Sequence, residues 1–280
     1  MKRVRKLLAL CAVVLTVRAG PAEAATEEWI ETMRNVHARF TGTKGTFAQF
    51  GDSITFTMAF WSPLQGDPQN MSEEMASAHS RVKTYLKPEC WNRWKGPAFG
   101  NNGSMTVLWA YENVDEWLAR LNPEVAVMMF GSNDVGQMDV NEYEKKARQV
   151  VQRCLHNGTI VILTTAPPRS GYLEKSRQFA EAARRIARVE KMPLIDYFNE
   201  ILTRRPDDWD GSLPKFKGLP GDDYQVPTLM ARDGLHPSNP KQFVNDFSDA
   251  ALRRNGFTLR NYLTLKAYGD VVGRVLQHVE

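Results

Sequence analysis

The chain has 280 residues, of which 42% are hydrophobic and 24% charged, with three cysteines and a formal charge of +4. These proportions describe a globular chain with a sizeable core and exclude a disordered or collagen-like one. The positive charge is local: Lys2, Arg3, Arg5, Lys6 and Arg18 lie in the first 24 residues with Glu23 as the only acid, so the remainder is formally neutral. A neutral body gives no electrostatic reason to expect nucleic acid or an anionic membrane as partner.

The first residues read as a secretory signal. A basic start at residues 2–6 leads into an apolar run at 7–17, and Ala22-Glu23-Ala24 is a small-x-small cleavage site. Cleavage after Ala24 and a secreted or periplasmic protein are expected. The apolar run is too short to span a bilayer, so no stable membrane anchor is expected afterwards. Cys90 and Cys154 remain after cleavage, either as a disulfide or as two separate buried thiols.

Trp29, Met33, Val36 and Phe40 recur at helical spacing and predict a helix over 26–40, closed by Gly42 and Gly45. Residues 46–50 read as a first strand, followed by Gly51-Asp52-Ser53-Ile54-Thr55. Gly51 removes the Cβ where the backbone turns sharply. Ser53 then sits where strand gives way to helix, with an outward hydroxyl and a backbone N–H that the helix leaves unpaired. Met71, Met75, Ala78, Val82 and Tyr85 trace a second helix, stopped by Pro88. His37 and His79 read as packing or surface histidines. The stretch 90–117 is rich in tryptophan and contains the turn Gly100-Asn101-Asn102-Gly103-Ser104; a very short strand is expected near Ala98-Phe99.

The apolar run within 124–130 and the stretch 159–165 read as strands buried on both faces, and 193–196 as a further strand. Helices are predicted over 141–156 and 173–190, and near 240–253 and 258–278. Strand alternating with helix implies a parallel sheet covered on both sides, with ligands at the carboxyl ends of the strands. The long aperiodic stretch 204–232 reads as a functional or mobile loop.

Asp233-Gly234-Leu235-His236-Pro237 places a carboxylate where it can accept from the imidazole Nδ1–H, leaving Nε2 free to take a proton. Gly131-Ser132-Asn133-Asp134 follows a buried strand, where the Asn133 amide can face a developing oxyanion. The Gly103 N–H can donate to the same oxygen. Zinc-protease, phosphate-loop and G-x-S-x-G signatures are missing from the sequence.

Together these blocks resemble the SGNH (or GDSL) hydrolase family, whose motifs they follow in order across essentially all of residues 25–280. The resemblance implies one domain with a three-layer α/β/α, flavodoxin-like fold, and ester hydrolysis without metal or cofactor. It further implies a triad of Ser53, Asp233 and His236, with an oxyanion hole of Ser53, Gly103 and Asn133 and Gly100 in reserve for Gly103.

The expected substrate is a small-molecule or glycan ester, foremost an O-acetylated carbohydrate; Trp91, Trp94, Trp109 and Trp117 read mostly as core, with a sugar-stacking role for one or two of them as the alternative. A lipid or thioester acylhydrolase, with an apolar groove under the 204–232 loop, is the rival enzyme. A cell-wall glycan O-acyltransferase needs the same residues. A glycan-binding protein with an idle site is the non-enzymatic alternative.

Overall fold

The computed structural model describes residues 21–277. The basic start and apolar run of the leader lie outside the described residues. The elements in chain order are α1 (Pro21–His37), β1 (Phe47–Gly51), α2 (Ser53–Phe56), α3 (Glu73–Tyr85), α4 (Val107–Leu121), β2 (Val125–Met129), α5 (Val140–His156), β3 (Ile160–Thr164), α6 (Leu173–Val189), β4 (Leu194–Ile195), α7 (Tyr197–Arg204), α8 (Asp249–Leu252) and α9 (Gly256–Val271).

The four strands form one parallel sheet in the order β1-β2-β3-β4, with Phe47 opposite Val125 and Val125 opposite Ile160. Every residue of β1, β2 and β3 is buried, as expected of a parallel sheet with both faces covered. Helices α4, α5 and α6 pack together on one face; α1, α3 and α9 cover the other. The fold is therefore a three-layer α/β/α sandwich. Local sequence sets the helix starts: Ser72 accepts from the Met75 N–H at 3.3 Å, Asp139 from Asn141 at 2.8 Å and Asn255 from Thr258 at 2.8 Å.

Two expectations need correction, and one open alternative is decided. Ala98-Phe99 is no strand: Pro97–Phe99 is a 3-10 turn, and only the bridge between Gly51 and Asn101 remains of a rung beside β1. Proline at the turn's start supplies no N–H to a ladder. The helix near 240–253 shrinks to α8 and a 3-10 turn at Lys241–Phe243, because Pro237 and Pro240 hold this segment extended. Cys90 and Cys154 are separate buried thiols, each pushed up to about 12 by burial.

Two polar side chains are built into the core. Gln49, inside β1, donates to the Cys90 carbonyl at 3.0 Å and accepts from Lys95 Nζ at 2.8 Å. His79 pairs with the Leu64 carbonyl at 2.8 Å, so it is a satisfied packing histidine. No described helix is long and apolar enough to cross a membrane.

Candidate active site

The carboxyl ends of β1 and β2 and two loops meet at one edge of the sheet. At β1, Gly51 leads through Asp52 into α2. A Cβ on Gly51 would fall on Thr55 Oγ1 and come within 2.7 Å of the Met129 carbonyl, so only glycine allows this approach. Asp52 caps α2 by accepting from Ile54 N–H at 3.0 Å. Ser53 is left half-buried, and its N–H has no partner among the described residues.

At the other end of α2 two cations bind its carbonyls. Arg260, fully buried on α9, donates to the Ile54 carbonyl at 2.7 Å and Thr55 Oγ1 at 2.9 Å. It lies flat on Phe60, 3.6 Å from the ring centroid. Lys95 Nζ donates to the Thr55 carbonyl at 2.7 Å and that of Thr57 at 3.2 Å. Burial lowers the Arg260 guanidinium to about 10, so it stays charged at neutral pH.

Ser53 Oγ lies 2.8 Å from His236 Nε2, and His236 Nδ1 lies 2.6 Å from Asp233 Oδ2. These three residues span 183 positions of sequence and form one hydrogen-bonded chain. Asp233 Oδ1 also accepts from the Leu235 and His236 N–H groups, each at 2.9 Å. Burial pulls the Asp233 carboxyl upward, but the bonds from the His236 ring and the two N–H groups outweigh it and hold it below the ordinary value. The turn closes as a small hairpin, with Ala231 N–H donating to the His236 carbonyl at 2.7 Å and Met230 bridging Pro237.

Asn133 follows β2 and turns Nδ2 toward the same edge, donating to the Met105 carbonyl at 3.0 Å and contacting Asp52 Oδ2 at 3.4 Å. Its second hydrogen is therefore weakly held. The Gly103 N–H has no partner among the described residues. Gly100 is different: its N–H donates to the Pro97 carbonyl at 3.2 Å and its carbonyl accepts from Gly51 at 3.0 Å. Its φ of +83° and the Phe50 ring against its Cα make it a packing glycine.

Beneath these groups lie two buried carboxyls. Burial pushes Asp52 up to about 6 and Asp134 up to about 7; the Asp52 charge adds to the latter shift. Asp134 caps α4 by accepting from Val107 N–H at 2.7 Å. The described residues hold no cluster of acids, histidines and cysteines fit for a metal ion.

A cavity of about 320 Å³ opens at Ser53 and His236. Larger hollows of about 670 and 520 Å³ lie elsewhere, one between α4 and α5. Neither contains a nucleophile beside a base, so size does not mark the site here.

Residues 49–240 match the GDSL-like Lipase/Acylhydrolase family, a span that contains Ser53, Asn133, Asp233 and His236. The chain belongs to this family. It is accordingly an ester-hydrolysing enzyme. The fold is shared with a lipase/acylhydrolase from Enterococcus faecalis, 15% identical with a TM-score of 0.50, covering 84% of this chain and 98% of that one. It is shared with a psychrotrophic esterase, EstA, from Pseudoalteromonas sp., 13% identical with a TM-score of 0.51, over 82% and 99% of the two chains. An acetyl xylan esterase, AlAXEase, is 16% identical with a TM-score of 0.50, over 79% and 98%. No curated protein sequence matches the chain.

The tryptophans of this GDSL-family enzyme mostly serve packing, as the reading of large aromatics as core expects, and do not form a sugar platform. Trp91 and Trp117 are buried, while Trp94 stacks on Phe99 with centroids 6.3 Å apart and Trp109 packs tilted against Trp117 at 4.6 Å. The aromatic side chain beside His236 is Tyr224, 37% exposed, with ring centroids 5.9 Å apart. Sequence reading also passed over Asn101, which is buried and organises the Gly103 loop. Its side chain accepts from Gly96 N–H at 3.0 Å and donates to the Gln49 carbonyl at 2.9 Å. Its place two residues before Gly103 was the available signal. Lys95 and Arg260 carried none.

Proposed function

We propose that the protein is an exported serine esterase that removes acetyl groups from carbohydrate. The observation that carries the reading is the relay from Ser53 Oγ to His236 Nε2 at 2.8 Å and from His236 Nδ1 to Asp233 at 2.6 Å. His236 takes the Ser53 proton as Oγ attacks the ester carbonyl carbon. The oxyanion faces the N–H groups of Ser53 and Gly103 and the Asn133 amide, each contributing about 2.7–4 kcal/mol to lowering the barrier. Asp233 orients the imidazole and stabilises its cation. His236 returns the proton to the leaving alcohol oxygen, and water, deprotonated by the same ring, releases the acid and frees Ser53.

Export rests on the basic-then-apolar leader ending in Ala22-Glu23-Ala24. A short acyl group and a hydroxylated alcohol are favoured by the cavity, whose walls include Asp222, Gln225 and Asn239. A lipid groove would be lined by apolar side chains. One observation favours a longer acyl chain: Phe56 and Met58, just past Ser53, are 42% and 55% exposed.

A chain-length series of p-nitrophenyl esters separates these readings. A maximum at acetate is expected, and a maximum at octanoate or longer would overturn the acetyl reading. Ser53→Ala should lose on the order of 10⁴-fold or more in kcat and all labelling by a fluorophosphonate. Near-normal turnover in that variant would remove Ser53 from the mechanism.

A further inference from the structure

The segment after α7 closes one side of the cavity. It is a strap held to the Asp233 turn by the residue next to it. Arg232 donates to the carbonyls of Leu219 at 2.7 Å and of Gly221 and Asp222 at 3.1 Å. Backbone bonds add to this: Arg232 N–H to the Asp223 carbonyl at 3.0 Å, and Asn239 N–H to that of Tyr224 at 2.7 Å. The strap and the hairpin bearing His236 are thus tied into one unit, and the wall keeps its distance from the imidazole.

The polar atoms this wall turns to the cavity are specific. Asp222 spends Oδ1 on the Tyr224 N–H at 2.9 Å. Asn239 spends Oδ1 on Asn255 at 3.1 Å. Gln225 is used at both ends, by the Asn239 carbonyl and the Lys241 N–H. Among the described residues this leaves three groups without partners: Asp222 Oδ2, the Asn239 Nδ2 amide and the Tyr224 hydroxyl. They comprise an anionic acceptor, a two-hydrogen donor and a group that does both, on an exposed aromatic ring. Hydroxyls at several angles on a ring with an apolar face would engage all three at once.

We propose that Asp222, Tyr224 and Asn239 form the subsite for the alcohol half of the substrate, and that this half is an uncharged pyranose. The proposal rests on the esterase reading of Ser53 and His236. His236 lines this cavity and must reach the leaving oxygen, which puts the alcohol on the strap side. The carboxylates of Asp222, Asp223 and Asp233 act together on Tyr224 and outnumber the one Arg232 guanidinium, whose terminal nitrogens donate to carbonyls. Their field disfavours a uronate or another anionic alcohol.

The test compares kcat/KM on three acetates with wild type, Tyr224→Ala and Asp222→Asn: ethyl acetate, whose alcohol is too small to reach the strap, tetra-O-acetyl-xylopyranose and O-acetylated glucuronic acid. The ratio of xylose acetate to ethyl acetate should fall about tenfold in Tyr224→Ala, mostly through KM. Wild type should prefer the neutral sugar to the uronate, and Asp222→Asn should narrow that preference, a shift that mere loosening of the strap would not produce. An unmoved ratio, or a wild type that prefers the uronate, overturns the subsite while ethyl acetate hydrolysis leaves the esterase standing. A wild type inert on all three acetates overturns the esterase reading and the subsite with it.

Discussion

Ser53 stands on a turn gripped from every direction by buried groups: Asp52 below it, Arg260 and Lys95 on the carbonyls beyond it, and the Met129 carbonyl against Gly51. His236 stands on a surface hairpin, and the Asp233 side chain that orients it is 29% exposed. The first arrangement is fixed by long-range burial, the second by bonds among neighbours a few residues apart. The place of Ser53 is therefore coupled to the stability of the whole fold, and the place of His236 is a local property. A substitution on one side should move activity and stability together; on the other it should move activity alone.

The largest separation is expected from Asp233→Asn. With Oδ1 still held by the Leu235 and His236 N–H groups, the new amide faces His236 Nδ1 and forces the proton onto Nε2. The tautomer is then wrong for accepting from Ser53, and kcat should fall roughly 10⁴-fold. Tm should stay near the wild-type value in calorimetry, because surface substitutions usually cost within about 0.5 kcal/mol. A parallel collapse of Tm would remove the contrast between the two sides.

The middle effect belongs to Arg260→Met, which keeps the packing on Phe60 but leaves the Ile54 carbonyl and Thr55 Oγ1 without their donor. Each orphaned group should cost about 1–3 kcal/mol. Tm should drop by roughly 2–4 °C for each kcal/mol lost, and kcat should fall in the surviving folded protein while KM for a small ester changes little. Full activity with a lowered Tm would make Arg260 a core residue without influence on Ser53.

The smallest effect sharpens the comparison through pH. Asp52 and Asp134, pushed up to about 6 and 7 from 3.8, hold protons in the native protein that the unfolded chain has already released. The native state binds more protons between about pH 4 and 7, so stability falls as pH rises through that window. Asp134→Asn keeps an acceptor for Val107 and removes one of the two groups. Its Tm should decline less across the window than that of wild type; equal slopes would show that Asp134 is ionised throughout.

The same division decided what could be read from the sequence. Asp233 and His236 lie three apart, and Ser53 and Asn133 each follow directly on a buried apolar run, so local pattern sufficed. The parallel sheet was legible because 125–130 and 160–163 are apolar without interruption. Arg260 and Lys95 were not legible: a charged residue in a helix or an aromatic-rich loop looks solvated until the fold brings it to α2 from 205 or 40 positions away. Tyr224 was passed over for the opposite reason. An aromatic looks buried until the fold leaves it at the rim: large aromatics fill cores first, as Trp91 and Trp117 do, while Tyr224 stays exposed.

The rung between Gly51 and Asn101 has a consequence for exchange with solvent. Asn102 donates its amide hydrogen to the Gly51 carbonyl at 3.2 Å, while the amide of Gly103 next to it is uncommitted. Deuterium should therefore enter Gly103 far sooner than Asn102. On the proposed mechanism, the line between what is frozen into the scaffold and what is held ready for a reacting molecule falls between two consecutive peptide groups.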